Sequence, residues 1–216
     1  MNVLVIASHA DDEVLGMGGT IAKLVRTGHN IYCWFYFSGF NCNGVHQEQP
    51  REVSKILGTV YPPFVMPMTV DNESDIASVM GIARNIEKAI AETKPEVVYM
   101  PSVHDLNIDH RRVAEAALVA TRPVPGSIIH RVLSYEVPSV TEWAFGQFGT
   151  FRPNVYEELS DDNYDHKIMA AFAYEGCLLD PPHPRSEGGL DTLVVHRGQQ
   201  IGVDYAEAFE LVWERR

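Results

Sequence analysis

The sequence predicts an α/β fold: a Rossmann-like three-layer α/β/α sandwich with a mostly parallel sheet, formed by one domain over residues 1–216. Short β-branched and aliphatic runs alternate with longer segments of helical spacing, the order expected of βαβ units. Several of these runs are continuously apolar, which is typical of strands buried on both faces. The chain of 216 residues, 45% of them hydrophobic, is also large enough to bury one core.

The first βαβ unit is predicted from the N-terminal residues. Met1–Ala7 is a nearly continuous apolar run and reads as a buried strand. A polar turn follows it, and Gly18–Thr27 is compatible with a helix that ends at the Gly28 break. Ile31–Phe37 reads as the second buried strand, and the Gly- and Asn-rich segment Ser38–Gly44 closes the unit.

Two helices and a third strand are predicted in the middle of the chain. Gln47–Leu57 has helical spacing, and Ser74–Thr93 carries its apolar residues on one helical face. Val97–Met100 reads as a strand, Pro101–His110 as a loop and Arg111–Thr121 as a helix. Because ligands bind beyond the carboxyl ends of parallel strands, loops that follow strands are the places to look for a site.

The pattern weakens after Pro125. Val132–Glu136 is a candidate strand, Phe151–Tyr156 is irregular, and Asp165–Leu178 has helical spacing. The last forty residues read as a loop followed by a terminal segment. We expect residues 130–216 to form walls of the site.

Composition excludes several classes of function. Seventeen Lys and Arg against 29 Asp and Glu give a formal net charge of −12, which opposes binding to nucleic acid. The apolar runs are too short to cross a bilayer, so we expect no membrane insertion. Three cysteines without a CxxC spacing support neither a disulfide framework nor a cysteine zinc site. These features predict a soluble, cytoplasmic protein.

The first candidate motif lies directly after the first predicted strand. His9 is followed within four positions by the carboxylates of Asp11, Asp12 and Glu13. Carboxylates this close repel one another, and a metal ion would relieve that repulsion. Capping of the next helix by the Asp-Asp pair is an equally weighted alternative, and Glu13 is interpreted as support for this turn.

The second candidate motif follows the third predicted strand. It runs from His104 to His110 and leads into a helix. A catalytic zinc commonly has three protein ligands of imidazole and carboxylate type and keeps one position for water. His9, Asp12 and His110 supply such a set. A single loop histidine is more often a surface residue, but two such clusters at equivalent strand ends favour a metal site.

Together these motifs resemble those of the PIG-L or LmbE-like zinc-dependent N-deacetylases. The family's first motif, a buried strand followed by His-Pro-Asp-Asp-Glu, is matched by residues 9–13, with Ala10 in place of proline. Asp109-His110 matches the end of the second motif. Residues 183–186, 197–198 and 206–209 look like the closing segment of the bacterial branch, so the likeness spans nearly the whole chain.

The resemblance implies the roles of the site residues. His9, Asp12 and His110 would bind Zn²⁺, with Fe²⁺ or another divalent metal as an alternative, and Asp11 would be the general base. The reaction would be removal of an N-acetyl group from an N-acetylated amino sugar or its conjugate. A homo-oligomer is compatible with the family.

This sequence departs from the family where the second electrophilic donor is expected. Many relatives have a histidine three residues before the last ligand, whereas this chain has Asn107. This leaves the second donor unassigned, and His104 is the leading candidate for it. Asp109, like Asp105, would orient an imidazole. Arg185 is a candidate for binding a substrate hydroxyl or carboxylate, or for a structural ion pair.

Two further functions remain open from the sequence. The first is an amidase of the same metal chemistry that acts on a larger thiol or natural-product conjugate. The second is a non-catalytic relative that binds a metal or a sugar. Asp11 argues against the second, because a site for binding alone gains nothing evident from an additional carboxylate beside the metal.

Overall fold

The computed structural model describes residues 1–36, 48–65 and 78–216. The predictions for Ser38–Gly44, Cys42, Gln47 and residues 74–77 lie outside these ranges. The described strands are β1 Asn2–Ala7, β2 Asn30–Phe35, β3 Val60–Val65, β4 Val97–Pro101, β5 Arg131–Tyr135, β6 Val155–Leu159 and β7 Tyr205–Glu214. The described helices are α1 Asp12–Arg26, α2 Glu48–Leu57, α3 Val79–Thr93, α4 Ile108–Ala120, α5 Asp161–Ala173 and α6 Glu187–Gln199, with a short 3₁₀ helix at Glu142–Ala144.

The seven strands form one sheet in the order β3-β2-β1-β4-β5-β7-β6. The first five strands in this order are parallel, and β7 runs antiparallel to both of its neighbours. This arrangement confirms the predicted mostly parallel sheet. The register pairs Ala7 with Phe35 and Pro101 with Tyr135, so the loops after β1, β4 and β5 leave the sheet at the same edge.

Helices cover both faces of the sheet, as the three-layer prediction requires. Along β1, alternate side chains enter different cores. Val3, Val5 and Ala7 pack in a cluster with residues of α1 and α5. Leu4 and Ile6 pack in a second cluster with residues of α3 and α4. Because both faces are buried, β1 is apolar at consecutive positions. Within the described ranges, no helix combines the length and apolar character needed to cross a membrane.

Four elements were not predicted: β3, β6, α6 and β7. β6 begins at Val155, inside the segment Phe151–Tyr156 that was interpreted as irregular. β3 contains Pro62 and Pro63, which lack backbone N–H groups, and it tolerates them because it is an edge strand. α6 contains three glycines, which hide its helical pattern. A Cβ at Gly189 would lie 2.3 Å from the Pro184 carbonyl oxygen, and one at Gly198 would lie 2.6 Å from that of Val203. Close packing therefore requires these glycines in α6.

The predicted start of α1 at Gly18 is wrong, because the helix begins at Asp12 and is broken in the middle. Met17 has φ −152° and ψ 24°, which divides α1 into two halves. The second half begins near the predicted start. A break of this kind leaves backbone groups without intrahelical partners on both sides.

A buried ion pair between Lys167 on α5 and Glu207 on β7 satisfies these groups. The Lys167 ammonium donates to two carbonyls of the first half, and the Glu207 carboxylate accepts from two N–H groups of the second half. The four groups are Val14 O at 3.0 Å, Leu15 O at 2.8 Å, Gly19 N at 3.1 Å and Thr20 N at 2.7 Å. Lys167 Nζ and Glu207 Oε1 are 2.6 Å apart. Two remote side chains thus stabilise the break.

Candidate metal and active site

The loop after β1 and the first turns of α1 and α4 bring three metal-ligand candidates together. The predicted loop Pro101–His110 is therefore too long, because α4 already begins at Ile108. His110 Nε2 lies 3.2 Å from Asp12 Oδ2 and 3.3 Å from His9 Nδ1. His9 Nδ1 lies 3.6 Å from Asp12 Oδ2. All three donor atoms fall within 4.8 Å of one another, so the cluster can hold a metal ion. Two imidazole nitrogens and one carboxylate oxygen match the donor chemistry of a catalytic zinc site.

Each imidazole of this cluster directs its other nitrogen toward a second carboxylate. His110 Nδ1 is 2.9 Å from Asp105 Oδ2, and the Thr141 hydroxyl donates to Asp105 Oδ1 at 2.6 Å. His9 Nε2 is 3.5 Å from Asp109 Oδ2. Outer carboxylates of this kind fix the orientation of metal-binding imidazoles. The structure places Asp109 beside His9, in contact with a candidate ligand.

The charged groups of the cluster shift one another's pKa values. Burial alone would raise the pKa of Asp12, but His110 and His9 hold it well below its usual range. Burial alone would lower the pKa of His110, but Asp12 and Asp105 raise it to about 10. Without a metal, a proton on His110 therefore balances the carboxylates. A divalent cation would displace that proton, because a metal-binding imidazole must be deprotonated.

Asp11 is buried beside Asp12 and faces a cation. Burial, followed by the charge of Asp12, raises the pKa of Asp11 to about 7, and Arg185 opposes this rise. Arg185 Nη1 lies 3.5 Å from Asp11 Oδ2. Of the two interpretations of Arg185 from the sequence, the ion pair is present in the structure, and the same side chain also lines the cavity of the site.

Glu13 supports the backbone of Asp11. Its Oε2 accepts a hydrogen bond from the Asp11 N–H at 3.1 Å, and its Oε1 accepts one from the Tyr174 hydroxyl at 2.7 Å. Asp11 has φ 154°, a value that L residues rarely adopt. Burial raises the pKa of Glu13 to about 8, with the Tyr174 hydrogen bond opposing the rise. Glu13 therefore stabilises an unusual backbone conformation next to the cluster.

A cavity of about 310 Å³ opens over the cluster. Its floor is polar, and residues from loops in the C-terminal part of the chain form its other sides. The residues that line it are His9, Asp11, Asp12, Asn107, His110, Val137, Ser139, Val140, Gly176 and Arg185.

The two candidate electrophilic donors lie in different environments. Asn107 lines the cavity, and its Oδ1 accepts from the Asp109 N–H at 2.8 Å as the cap of α4. His104 is not among the described residues that line the cavity. Its Nδ1 lies 2.7 Å from the Phe148 carbonyl oxygen, which only accepts, so Nδ1 carries the proton. In neutral His104 the other nitrogen is then an acceptor.

The sequence did not identify Thr141 or Tyr174 as part of this region. Neither belongs to a motif, and both come from parts of the chain where the predicted pattern was weak. Thr141 does follow a strand that ends at the same sheet edge as β1 and β4, which is the one sequence signal that could have found it.

Comparison with known proteins identifies relatives along most of the chain. An uncharacterized deacetylase, YaiS, of Escherichia coli (strain K12) is 28% identical over 176 residues, covering 78% of this chain and 87% of that protein. The diacetylchitobiose deacetylase of Thermococcus kodakarensis (strain ATCC BAA-918 / JCM 12380 / KOD1) is 23% identical over 226 residues, covering 97% of this chain and 82% of that protein.

The fold is also shared with solved structures. The conserved protein TT1542 from Thermus thermophilus superposes with a TM-score of 0.74 at 22% identity, and the match covers 99% of each chain. The family model described as PIG-L, GlcNAc-PI de-N-acetylase, matches residues 4–121, which is more than half of the sequence and includes both motifs. The chain belongs to the PIG-L family.

Proposed function

We propose that this protein is a metal-dependent hydrolase that removes an N-acetyl group from an N-acetylated amino sugar or sugar conjugate. The observation that carries the proposal is the position of Asp11, a buried carboxylate beside the cluster of His9, Asp12 and His110 in one cavity. Family membership and the deacetylase relatives support the reaction, and the diacetylchitobiose deacetylase supports an amino-sugar substrate.

The proposed metal is Zn²⁺, with Fe²⁺ as the alternative, bound by His9, Asp12 and His110. When bound, zinc lowers the pKa of a coordinated water toward about 7 and polarises a carbonyl group. Asp105 and Asp109 hold the two imidazoles in the orientation that directs a lone pair toward the cluster.

Asp11 is proposed to move the proton in this reaction. Its carboxylate is buried beside the cluster and lines the cavity, where it can accept a proton from the attacking water and return it to the leaving amine. Arg185 lies 3.5 Å from Oδ2 of Asp11, so Oδ1 is the atom proposed to carry the proton. Arg185 also lines the cavity and is proposed to bind a hydroxyl or carboxylate of the substrate.

Asn107 is proposed to donate a hydrogen bond to the oxygen of the scissile amide. Its Oδ1 is engaged by the Asp109 N–H, which leaves Nδ2 as the donor on a residue that lines the cavity. We favour Asn107 over His104, because the proton of neutral His104 is directed at the Phe148 carbonyl. Preorganised donors of this type stabilise the oxyanion that develops in amide hydrolysis.

The test is a substrate screen scored by release of primary amine. N-acetylated sugars in free, nucleotide-linked and lipid-linked form are incubated with zinc-loaded protein and with protein treated with a chelator. We expect release from at least one substrate class, and only with the metal. Release that the chelator does not reduce would contradict the metal mechanism.

The same screen separates the alternatives. Hydrolysis confined to larger thiol or natural-product amides would identify the amidase. Zinc and sugar binding without any hydrolysis would identify a non-catalytic relative. The zinc content of His110→Ala is compared with that of the wild-type protein, and unchanged occupancy would remove His110 from the site.

A further inference from the structure

We infer that Thr141 is a positioning residue of the metal site, whose hydroxyl holds Asp105 in the orientation that fixes His110. The inference rests on the metal site of the proposed function, and not on the identity of the substrate. Thr141 lies in the loop after β5, outside both sequence motifs and outside the part of the chain that the family model matches.

The direction of the Thr141 hydrogen bond is set by its two partners. The backbone N–H of Val137 donates to Thr141 Oγ1 at 2.8 Å. The Thr141 hydroxyl donates its own proton to Asp105 Oδ1 at 2.6 Å. Because a hydroxyl has one proton, the bond from Val137 leaves that proton for the carboxylate. Thr141 is therefore a defined donor to Asp105.

Asp105 connects Thr141 to His110 through its two carboxylate oxygens. The Asp105 side chain is fully buried, so solvent does not replace a lost hydrogen bond. Its other oxygen accepts the proton of His110 Nδ1 at 2.9 Å. In the neutral form of His110 that a metal requires, the proton on Nδ1 leaves Nε2 with a lone pair. Nε2 is the atom that lies 3.2 Å from Asp12 Oδ2 in the cluster. The Thr141 hydroxyl thus fixes the orientation of His110 Nε2 through the Asp105 carboxylate.

Thr141 also joins the metal site to the wall of the cavity. The Thr141 hydroxyl accepts the hydrogen bond from the Val137 N–H, and both Val137 and Val140 line the cavity. The Val140 carbonyl accepts from the Leu106 N–H at 2.9 Å, a second connection between the loops after β4 and β5. The wall and the ligand His110 are therefore held in one network of hydrogen bonds.

The test compares three threonine variants by zinc affinity, measured by competition with a chromophoric chelator. Thr141→Val removes the hydroxyl at nearly constant shape, and Thr141→Ser keeps it. Thr121→Val is the matched control, because Thr121 is buried and its hydroxyl donates to the Ala117 carbonyl at 2.7 Å, near the far end of α4. Thr141→Val is expected to raise the zinc Kd by about 10–100-fold. Thr141→Ser and Thr121→Val are expected to retain wild-type affinity.

A double-mutant cycle tests the route through Asp105. If Thr141 acts through that carboxylate, Thr141→Val adds little to the loss caused by Asp105→Asn. Additive losses would overturn the inference, as would wild-type affinity in Thr141→Val or an equal loss in Thr141→Ser. Thr141→Ala replaces the valine variant if the latter does not fold.

The zinc measurement needs no substrate. A wild-type protein that shows this zinc pattern but hydrolyses no N-acetyl sugar would therefore contradict the proposed function alone. A wild-type protein that binds no zinc would overturn both.

Discussion

Asp11 and Asp12 are adjacent in the chain, yet their surroundings shift the two pKa values in opposite directions. Asp12 accepts backbone N–H bonds from Ser8 at 3.2 Å and His9 at 2.9 Å and faces two imidazoles, so its charged form is stabilised. Asp11 is buried next to that charge, so its neutral form is favoured. Two carboxylates whose environments separate their pKa values are suited to different tasks, and the tasks proposed for Asp12 and Asp11 are metal binding and proton transfer.

Asp11→Asn is expected to lower kcat by about 10²–10⁴-fold, because the amide fills the same space but accepts no proton. Zinc content should stay at the wild-type level, since Asp11 is not one of the three candidate ligands. Steady-state kinetics and metal analysis measure the two effects. Asp162→Asn is the control, because it also removes a carboxylate that pairs with an arginine, Arg26, but on the surface. Full activity in Asp11→Asn would exclude the proposed base.

Glu13 gives the metal-free protein a dependence of stability on pH. Its pKa is raised to about 8 in the folded state from an ordinary value of 4.5, so folding favours the protonated carboxyl. This contribution is fully present below about pH 4.5 and is lost as the pH rises through 8.

Compared with the wild type, Glu13→Gln should therefore gain relative stability between about pH 5 and pH 8.5, on the order of 4 kcal/mol. Urea unfolding of both proteins in the presence of a chelator, at a series of pH values, measures the difference. Parallel pH profiles for the two proteins would show that Glu13 is ionised in the fold.

The sequence predicted the residues of the cluster because each motif follows a strand that ends at one edge of the sheet. It could not predict Thr141, Tyr174 or Lys167. Each is a common residue type without a local pattern, and each acts through a contact with a distant part of the chain. Asn107 was identified from the family pattern, but its use as a helix cap follows only from the structure.

At the scale of elements, continuous apolar runs were the reliable signal. β1, β2 and β4 were predicted within one or two residues, because strands buried on both faces show no alternation. β5 was a candidate strand from a weaker pattern and also lies within one residue of its prediction. β7 runs antiparallel, and Glu207 and Glu210 interrupt its apolar residues. It therefore lacks that signal and was assigned only as a terminal segment.

The broken helix α1 depends on a buried ion pair, and this dependence gives a stability prediction. Lys167→Met should lower the free energy of unfolding by about 3–5 kcal/mol, because it leaves the Glu207 carboxylate buried without its cation. It also removes the donor to two carbonyls of α1. Denaturant unfolding at fixed zinc concentration measures the change.

The control for this prediction is Lys23→Met. Lys23 also pairs with a glutamate, Glu157, at 3.0 Å, but both side chains are partly exposed, so the expected loss is about 0–1 kcal/mol. Equal losses in the two variants would contradict a special role for the buried pair.

At the scale of the whole molecule, the site is assembled from both parts of the chain. The part that the family model matches, residues 4–121, supplies the cluster and Asp11. The remaining part supplies Arg185, Thr141 and the cavity wall. Metal binding should therefore be linked to the stability of the complete fold, and not only to that of the N-terminal loops.

Zinc at about 100 times its Kd is expected to stabilise the folded protein by about 2.7 kcal/mol, which corresponds to a rise in Tm of roughly 5–10 °C for a chain of this size. Differential scanning calorimetry at increasing zinc concentration measures the rise. His110→Ala should show little of it. An equal rise in both proteins would mean that zinc acts at another place.

The break in α1 also has a consequence for the order of folding during synthesis. The backbone groups on either side of Met17 receive their partners from Lys167 and Glu207, which leave the ribosome long after the helix itself. Until α5 and β7 have both packed, the Lys167–Glu207 pair cannot form and the two halves of α1 lack these partners. The first half begins at Asp12 and lies next to Asp11. We therefore expect the nascent chain to acquire the geometry of the candidate cluster only when α5 and β7 are in place.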